Sequence, residues 1–256
     1  MDAITELSSL PEPDAEETSR CLLRLMRGVN AQAFRTFGNK VFNGPFAGME
    51  VPDYNPYWDD GNTGCKLFGS YEHELHEAIS YAVWRQPKVV INAGCAEGYY
   101  TIGMARLLPD AEVWGLDISQ GSLDLCQKYA EINKVKVSLR LGARSVEELM
   151  IGGPGHRLYI MDIEGGEDQL EPIGFEFDDL IIECHDFFKP IGSALADRFA
   201  ATHRVELIRP RMPNMDWYPF LKQYPTIMPV LTVYEKRPTP CYWLACWANT
   251  KGSENG

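Results

Sequence analysis

Long apolar runs are missing from this sequence. No stretch approaches the roughly 18 to 20 consecutive apolar residues that a membrane-spanning helix needs, so no span is expected. Positive charge is scarce. Only 24 Lys and Arg stand against 36 Asp and Glu, a net charge of −12. A nucleic-acid backbone calls for a basic surface, so a nucleic-acid partner is not expected. The opening MDAITELSSLPEPDAEE has no cationic segment leading into an apolar one, and does not read as a secretory signal. Cysteines number seven, an odd count, with no CxxC pair. Several lie in apolar runs, where a thiol behaves as a small hydrophobe. Reduced thiols in a cytoplasmic protein are expected rather than a disulfide framework. The GxGxxG turn of a dinucleotide fold is also absent.

What is present is a chain long enough, at 256 residues, for one large α/β domain with additions. Residues 1 to 18 read as a flexible acidic leader. Residues 19 to 87 read as an N-terminal segment. Its first helix is capped by Thr18 or Ser19 and ended by Gly28, short strands and turns fill 41 to 69, and Ser70 caps a second helix carrying Leu75, Ala78, Ile79 and Ala82 on one face. From residue 88 to about 250 strands alternate with helices. Strands are expected at 89–92, 112–116, 135–141, 157–162, 180–184, 205–208 and 241–247, and helices at 99–107, 122–133 and 191–203. Such alternation implies a mostly parallel sheet covered on both faces, with ligands at the carboxyl ends of its strands. An aromatic-rich insertion, 211 to 240, precedes the last strand. It reads equally as a substrate lid or as a loop packed on the core.

The turn after the first strand is Asn92-Ala93-Gly94-Cys95-Ala96-Glu97-Gly98. Glycine suits a backbone that turns sharply or passes close to a ligand. The GxxxG spacing argues against a pyrophosphate cradle. Asp117 ends the second strand and can accept hydrogen bonds from both hydroxyls of a ribose; the plainer reading is a helix cap before Ser119. Cys95 has no cationic neighbour in sequence and reads as a small neutral residue. His73 and His76 have metal-ligand spacing on a helix, but no third ligand is identifiable, so surface histidines are expected.

VVINAGCAEGYYT, Val89 to Thr101, resembles the first motif of class I S-adenosylmethionine-dependent methyltransferases. More narrowly the chain resembles the FkbM-type family. GPFAGM and KLFGSYEHEL resemble the region that precedes the first strand there. MDIEGGEDQL resembles the family's acidic segment after strand four, IIECHDFF its Glu-x-His ending of strand five, and CYWLACW after EKRP its last strand. Two positions depart from the pattern: Asn92 stands where an acid is common, and Ile118 follows Asp117 where Pro is usual. The resemblance implies a Rossmann-like fold with a seven-stranded, mostly parallel sheet, helices on both faces and an N-terminal extension. It implies S-adenosylmethionine held by the turn residues Asn92, Ala93, Gly94, Cys95, Gly98, Tyr99, Tyr100 and Thr101, by Asp117 and Ile118 at the ribose, by Ala143 and Arg144 near the adenine, and by Asp162. Glu72 approaches the same site or is a solvated helix residue. The implied reaction is methyl transfer to the hydroxyl oxygen of a small metabolite or sugar.

A second constellation, Asp162, Glu164, Glu167, Glu183, His185 and Asp186, follows strands four and five. Methyl transfer is an in-line displacement that needs alignment and exclusion of water. An alcohol acceptor also benefits from a base, and His185 has a suitable pKa range for one. Glu164 or Glu183 can orient it or bind the acceptor. Two other readings remain: a divalent cation held by these carboxylates and His185, or an acidic surface at helix starts. A nicotinamide-dependent oxidoreductase and a non-catalytic Rossmann-like binding module are the alternatives for the whole chain.

Overall fold

The computed structural model describes residues 14–55, 59–142, 145–171, 174–186, 190–225, 227–237 and 241–249. Seven strands form one sheet: β1 (Val89–Ala93), β2 (Glu112–Asp117), β3 (Ser138–Leu141), β4 (Arg157–Met161), β5 (Asp179–Cys184), β6 (His203–Ile208) and β7 (Tyr242–Ala248). Their order is β3-β2-β1-β4-β5-β7-β6, and only the β7 pairings are antiparallel. This is the expected seven-stranded, mostly parallel, Rossmann-like sheet. The strand order reverses between β1 and β4, and the carboxyl ends there open a crevice.

Strand periodicity explains the two-sided core. Side chains alternate across a strand. Val90, Leu158, Ile160, Ile181, Trp243 and Ala245 therefore join one buried cluster, while Val89, Ile91, Tyr159, Met161, Ile182 and Leu244 join the other. Helices α3 (His76–Arg85), α4 (Tyr99–Leu107) and α5 (Gln120–Asn133) cover the first face with Ile79, Ile102 and Leu123. Helices α6 (Val146–Leu149) and α7 (Gly192–Phe199) cover the second with Leu149, Leu195 and Phe199.

Several boundaries differ from the sequence reading. Helix α1 runs Ala15–Phe37, starting inside the expected leader; residues 1–13 lie outside the described residues. Asp14, not Thr18 or Ser19, caps it by accepting from the backbone N–H groups of Glu16 and Glu17. Gly28 does not end it, because a lone glycine costs only about 1 kcal/mol in a helix interior; Gly38 follows its last turn. Among the described residues of 41–69 the backbone forms a helix, α2 (Thr63–Phe68), beside a bridge between Lys40 and Glu50. Ser70 is not a helix cap: its hydroxyl donates to the Val233 carbonyl. Strand β3 is shorter than expected, and the helix placed at 191–203 stops at Phe199 so that His203 can open β6. The described residues of the 211–240 insertion fold onto the N-terminal helices. Its helix α8 (Ile227–Val233) lies against α1 through Met26, Val29 and Leu231, and the Tyr218 hydroxyl donates to the Phe68 carbonyl.

At the edge opposite the crevice, Asp179 is buried and accepts from Arg85 Nε at 2.6 Å and from the Ala248 N–H at 2.9 Å, with His156 Nε2 at 2.8 Å. Removing the carboxylate takes its counter-charge from a buried guanidinium, which keeps the neutral Ala248 carbonyl as acceptor. Asp179→Ala is expected to cost about 3–5 kcal/mol, read in urea unfolding as a lower midpoint with an unchanged slope.

Candidate active site

The turn after β1 is pinned from two sides. The backbone N–H groups of Gly94 and Cys95 both donate to Leu116 O at 2.9 Å, and the Asp162 N–H donates to Ala93 O at 3.0 Å. Gly94 has φ +76°, and a Cβ there would lie 1.7 Å from the Asp162 carbonyl oxygen. Gly98, at φ +101°, opens α4 where a Cβ would meet Cys126 Sγ at 2.5 Å. Glycine is therefore required at both ends of the turn. Between them Ala96 takes φ +46°, held by its N–H donating to Asp117 Oδ2 at 2.9 Å. Asp117 Oδ1 accepts from the Ser119 N–H at 2.8 Å. Each carboxylate oxygen has two acceptor sites, so Asp117 keeps one on each oxygen for a ligand. Ile118 beside it is exposed.

Above the turn lies a small cavity of about 40 Å³. Glu72, Asn92, Gly94, Cys95, Tyr99, Tyr100 and Asp162, all named above as candidate cofactor-binding residues, line it. Lys66, Tyr71, Glu97 and Trp243 line it too and were not foreseen. Lys66 pairs with Glu97. Burial favours neutral forms of both, but their mutual attraction outweighs it and holds the Glu97 carboxyl below its ordinary range. A charged residue inside a glycine turn and a lysine in the preceding segment were the available signal. Trp243 Nε1 is buried without a hydrogen-bond partner. Asn92 donates to Thr101 Oγ1 at 3.0 Å, joining β1 to α4. Thr101 and Ala93 are fully buried and are not among the cavity's lining residues. Ala143 and Arg144 lie outside the described residues.

Glu72 is buried, not solvated. Tyr100 donates to it, and burial, then Glu235, pushes its carboxyl well above the ordinary range. Arg237 spans this corner, donating to both Glu235 oxygens at 2.7 and 2.9 Å and to Glu74 at 2.7 Å.

The second constellation assembles where β4, β5 and β7 end or begin. His185 Nδ1 lies 3.0 Å from the fully buried Glu167 Oε1. Its Nε2 faces Asp162 Oδ1 and Glu164 Oε2, each at 3.5 Å, and Glu183 Oε2 at 3.7 Å. Burial pulls the His185 imidazolium down, but the bond to Glu167 and the surrounding carboxylates outweigh it, so its pKa rises. Burial raises Glu183 to about 10, with Asp162 adding to the rise, and burial raises Asp162 to about 6. Asp186 does not join this group. It accepts from the N–H groups of Ile191 and Gly192 at the start of α7 and from Tyr242. His73 and His76 are not surface residues: His73 is buried, His76 partly so, and both rings pack against Trp217. Among the described residues no third metal-ligating group accompanies them.

Five non-glycine residues among those described have positive φ. Gln86 and Lys134 cap helix C-termini. The other three, Glu72, Ala96 and Glu164, border the cavity or the acidic cluster. Strain of this kind costs about 1–3 kcal/mol per residue and concentrates at functional sites.

Residues 90–151 match a family model described as a methyltransferase domain. A segment of 82 residues is 30% identical to the malonyl-[acyl-carrier protein] O-methyltransferase of Priestia megaterium (strain DSM 319 / IMG 1521), covering 32% of this chain and 28% of that protein. The chain thus spans less than a third of this relative's length. Similar solved structures include one described as a putative rRNA-methylase from Clostridium thermocellum, with a TM-score of 0.48 at 13% identity over 70% of this chain and 97% of that one. Another is a putative O-methyltransferase from Klebsiella pneumoniae, with a TM-score of 0.46 at 13% identity over 96% and 95%.

The turn geometry is testable by contrast. Gly94→Ala is expected to lose at least about 2 kcal/mol, from backbone strain plus the clash with Asp162. For a chain of this size that is a melting temperature about 4–8 °C lower. Gly28→Ala, in an exposed helix with nothing within 4 Å of the new Cβ, should leave the melting temperature unchanged or raise it.

Proposed function

We propose that this chain is an S-adenosylmethionine-dependent methyltransferase of the FkbM type, acting on a hydroxyl group of a small metabolite or sugar. The observation that carries the reading is the turn of β1 lying between Asp117 on one side and the acidic, aromatic cavity on the other. The matched methyltransferase-domain segment contains both Gly94 and Asp117. The donor set suits this cofactor. Glu72 and Asp162 supply carboxyl groups whose ionised form a neighbouring cation favours, and Tyr99, Tyr100 and Trp243 supply aromatic faces and edges. Such a lining attracts a sulfonium and an ammonium group. The buried, unpartnered Trp243 Nε1 offers a donor to the polar part of the ligand. Asp117 retains the two acceptor positions that a ribose diol needs.

When bound, the cofactor supplies an electrophilic methyl group on sulfur. The chain's work is to align the acceptor, exclude water and handle a proton. Glu164, Glu183 and His185 stand beside the cavity, sharing Asp162 with it. They are the groups assigned to acceptor binding and hydroxyl activation, with Glu167 positioning the imidazole. The acidity of this edge and the net charge of −12 favour a small neutral or cationic acceptor over a nucleic acid. The FkbM assignment rests on the order of the segments from GPFAGM to CYWLACW.

Calorimetry is expected to show S-adenosylhomocysteine binding to the chain. Asp117→Ala should weaken it about 10- to 150-fold, the loss of one or two charge-assisted hydrogen bonds. Binding of NAD with none of S-adenosylhomocysteine would overturn the assignment. His185→Ala is expected to lower turnover of a hydroxyl acceptor about 10²- to 10⁴-fold while S-adenosylhomocysteine affinity stays within a few-fold; unchanged turnover would remove His185 from the reaction.

A further inference from the structure

A second cleft, of about 620 Å³, lies near the cavity above the glycine turn and falls within the size range of small-molecule sites. His73, His76 and Glu77 line it from the start of α3 and the turn before it. Arg211, Asn214 and Trp217 line it from the chain that follows β6. The sheet brings the two hollows together. β5 and β6 both run against β7, so their carboxyl ends share one edge. Ile208 is the register partner of Trp243, which lines the cavity, and Arg211 comes three residues later. On the other side the chain passes directly from one hollow to the next. Tyr71 and Glu72 line the cavity, and His73 lines the cleft. The passage is made at Glu72, whose φ of +44° is strained for a residue with a side chain.

The cleft is polar yet balanced in charge. Burial, then Arg211, pulls the His73 pKa below its ordinary range, and burial, then His73, takes that of His76 down to about 4. Both imidazoles are therefore neutral near pH 7, and each offers a donor and an acceptor. Arg211 and Glu77 carry opposite charges, and neither side chain makes a hydrogen bond or ion pair with the described residues. Asn214 Oδ1 accepts from the Asp216 N–H at 2.9 Å, which leaves its amide N–H groups for a ligand. Trp217 supplies the apolar surface. His73 packs nearly perpendicular to it and His76 nearly parallel, yet Trp217 stays 41% exposed. An aromatic ring fixed by its neighbours and open to solvent suits a ligand with both apolar and polar groups. A phosphate or carboxylate would meet Glu77 beside Arg211, with no second cation among the described lining residues. A wholly apolar molecule would strip water from the guanidinium, the imidazoles and the Asn214 amide and replace none of their hydrogen bonds. A ring with hydroxyls at its rim and C–H groups on its faces answers both halves of the lining.

We propose that this cleft holds the body of the methyl acceptor, an uncharged polyhydroxylated ring of the sugar type that lies on Trp217 and whose hydroxyls bind Arg211, Asn214 and His76. The inference deepens the methyltransferase reading and rests on it for the cleft's role. It narrows the acceptor to a neutral sugar and gives it a place. The acids around His185 then act on the one hydroxyl that is methylated, while the cleft holds the rest of the molecule in register. The stretch from Arg211 to Trp217, at the head of the aromatic-rich insertion, becomes one wall of the acceptor site.

The probes are the methyl glycosides of glucose, galactose, mannose and xylose, with glucuronate and glucose 6-phosphate as charged counterparts. Each is offered to the full chain at up to about 20 mM, above the millimolar Kd that a few hydrogen bonds and one stacked ring sustain. Saturation-transfer nuclear magnetic resonance, with S-adenosylhomocysteine present, reads binding, and S-adenosylhomocysteine calorimetry runs in parallel. At least one neutral glycoside is expected to bind, and neither charged sugar more tightly. Its affinity should fall at least about fivefold in Trp217→Ala and about tenfold or more in Arg211→Gln. Both side chains are exposed, so the variants should keep the fold and bind S-adenosylhomocysteine as the wild type does. No glycoside binding, whether or not S-adenosylhomocysteine binds, would overturn the site, as would equal affinity in the wild type and both variants. Tighter binding of a charged sugar would overturn the neutral ring. Glycoside binding lost in the variants, in a chain that binds no S-adenosylhomocysteine, would uphold a sugar site and remove its part in methyl transfer.

Discussion

The contact on which this site depends is between two pieces of backbone. The chain leaves β1 so close to the Asp162 carbonyl that no side chain fits at Gly94. The Asp162 N–H reciprocates by donating to Ala93 O. Two neighbouring parallel strands are thereby locked together where each stops. One strand delivers the glycine turn, the other the first acid of the cluster around His185. Their separation is set by the sheet's hydrogen-bond register rather than by flexible side chains. Reaction geometry that must hold within fractions of an ångström is best placed on such rigid elements.

Charge is arranged to the same end. The net charge of −12 is spread over the whole chain, but the carboxylates at the site are grouped, and all of them but the exposed Glu164 are buried or half-buried. Glu72 lies against Glu235 and under Tyr100, while Asp162, Glu164 and Glu183 surround one imidazole. Water would hold these charges apart at little cost; a low-dielectric crevice does not. Burial first, and then the neighbouring carboxylates, raise the pKa values of Glu72, Asp162 and Glu183. Arg237 offsets part of that repulsion by bridging Glu74 and Glu235.

Much of the sheet was legible in the sequence because strand burial is periodic and local. β1 ends within one residue of expectation and α4 matches it, since an apolar run followed by Gly94 and Gly98 allows little else. The N-terminal region was misread where tertiary contacts override local signals. Gly28 looks like a stop, but the helix continues because Met26 and Val29 are buried against Leu231 from the far end of the chain. Asp117 and the acids after β4 and β5 were visible as residue types at strand ends. Lys66 and Glu97 were not, because their partnership exists only once α2 is folded against the turn. Nor could the sequence tell Asp186, engaged at the start of α7, from Glu167, which holds the imidazole, since the two acids differ only in what surrounds them.

The antiparallel strand β7 carries a consequence for how the protein is made. It is inserted between β5 and β6, although it follows both in the chain. On a ribosome β6 therefore emerges with no neighbour to pair with, and the sheet beyond β5 stays open until β7 arrives. Because β7 runs against β5, its beginning, with Cys241 and Trp243, is what reaches the crevice. A nascent chain halted between β6 and residue 241 would carry the glycine turn with both its pinning strands, yet lack one wall of the chamber above it. The wall that Cys241 and Trp243 supply is then the last part of the chamber to form.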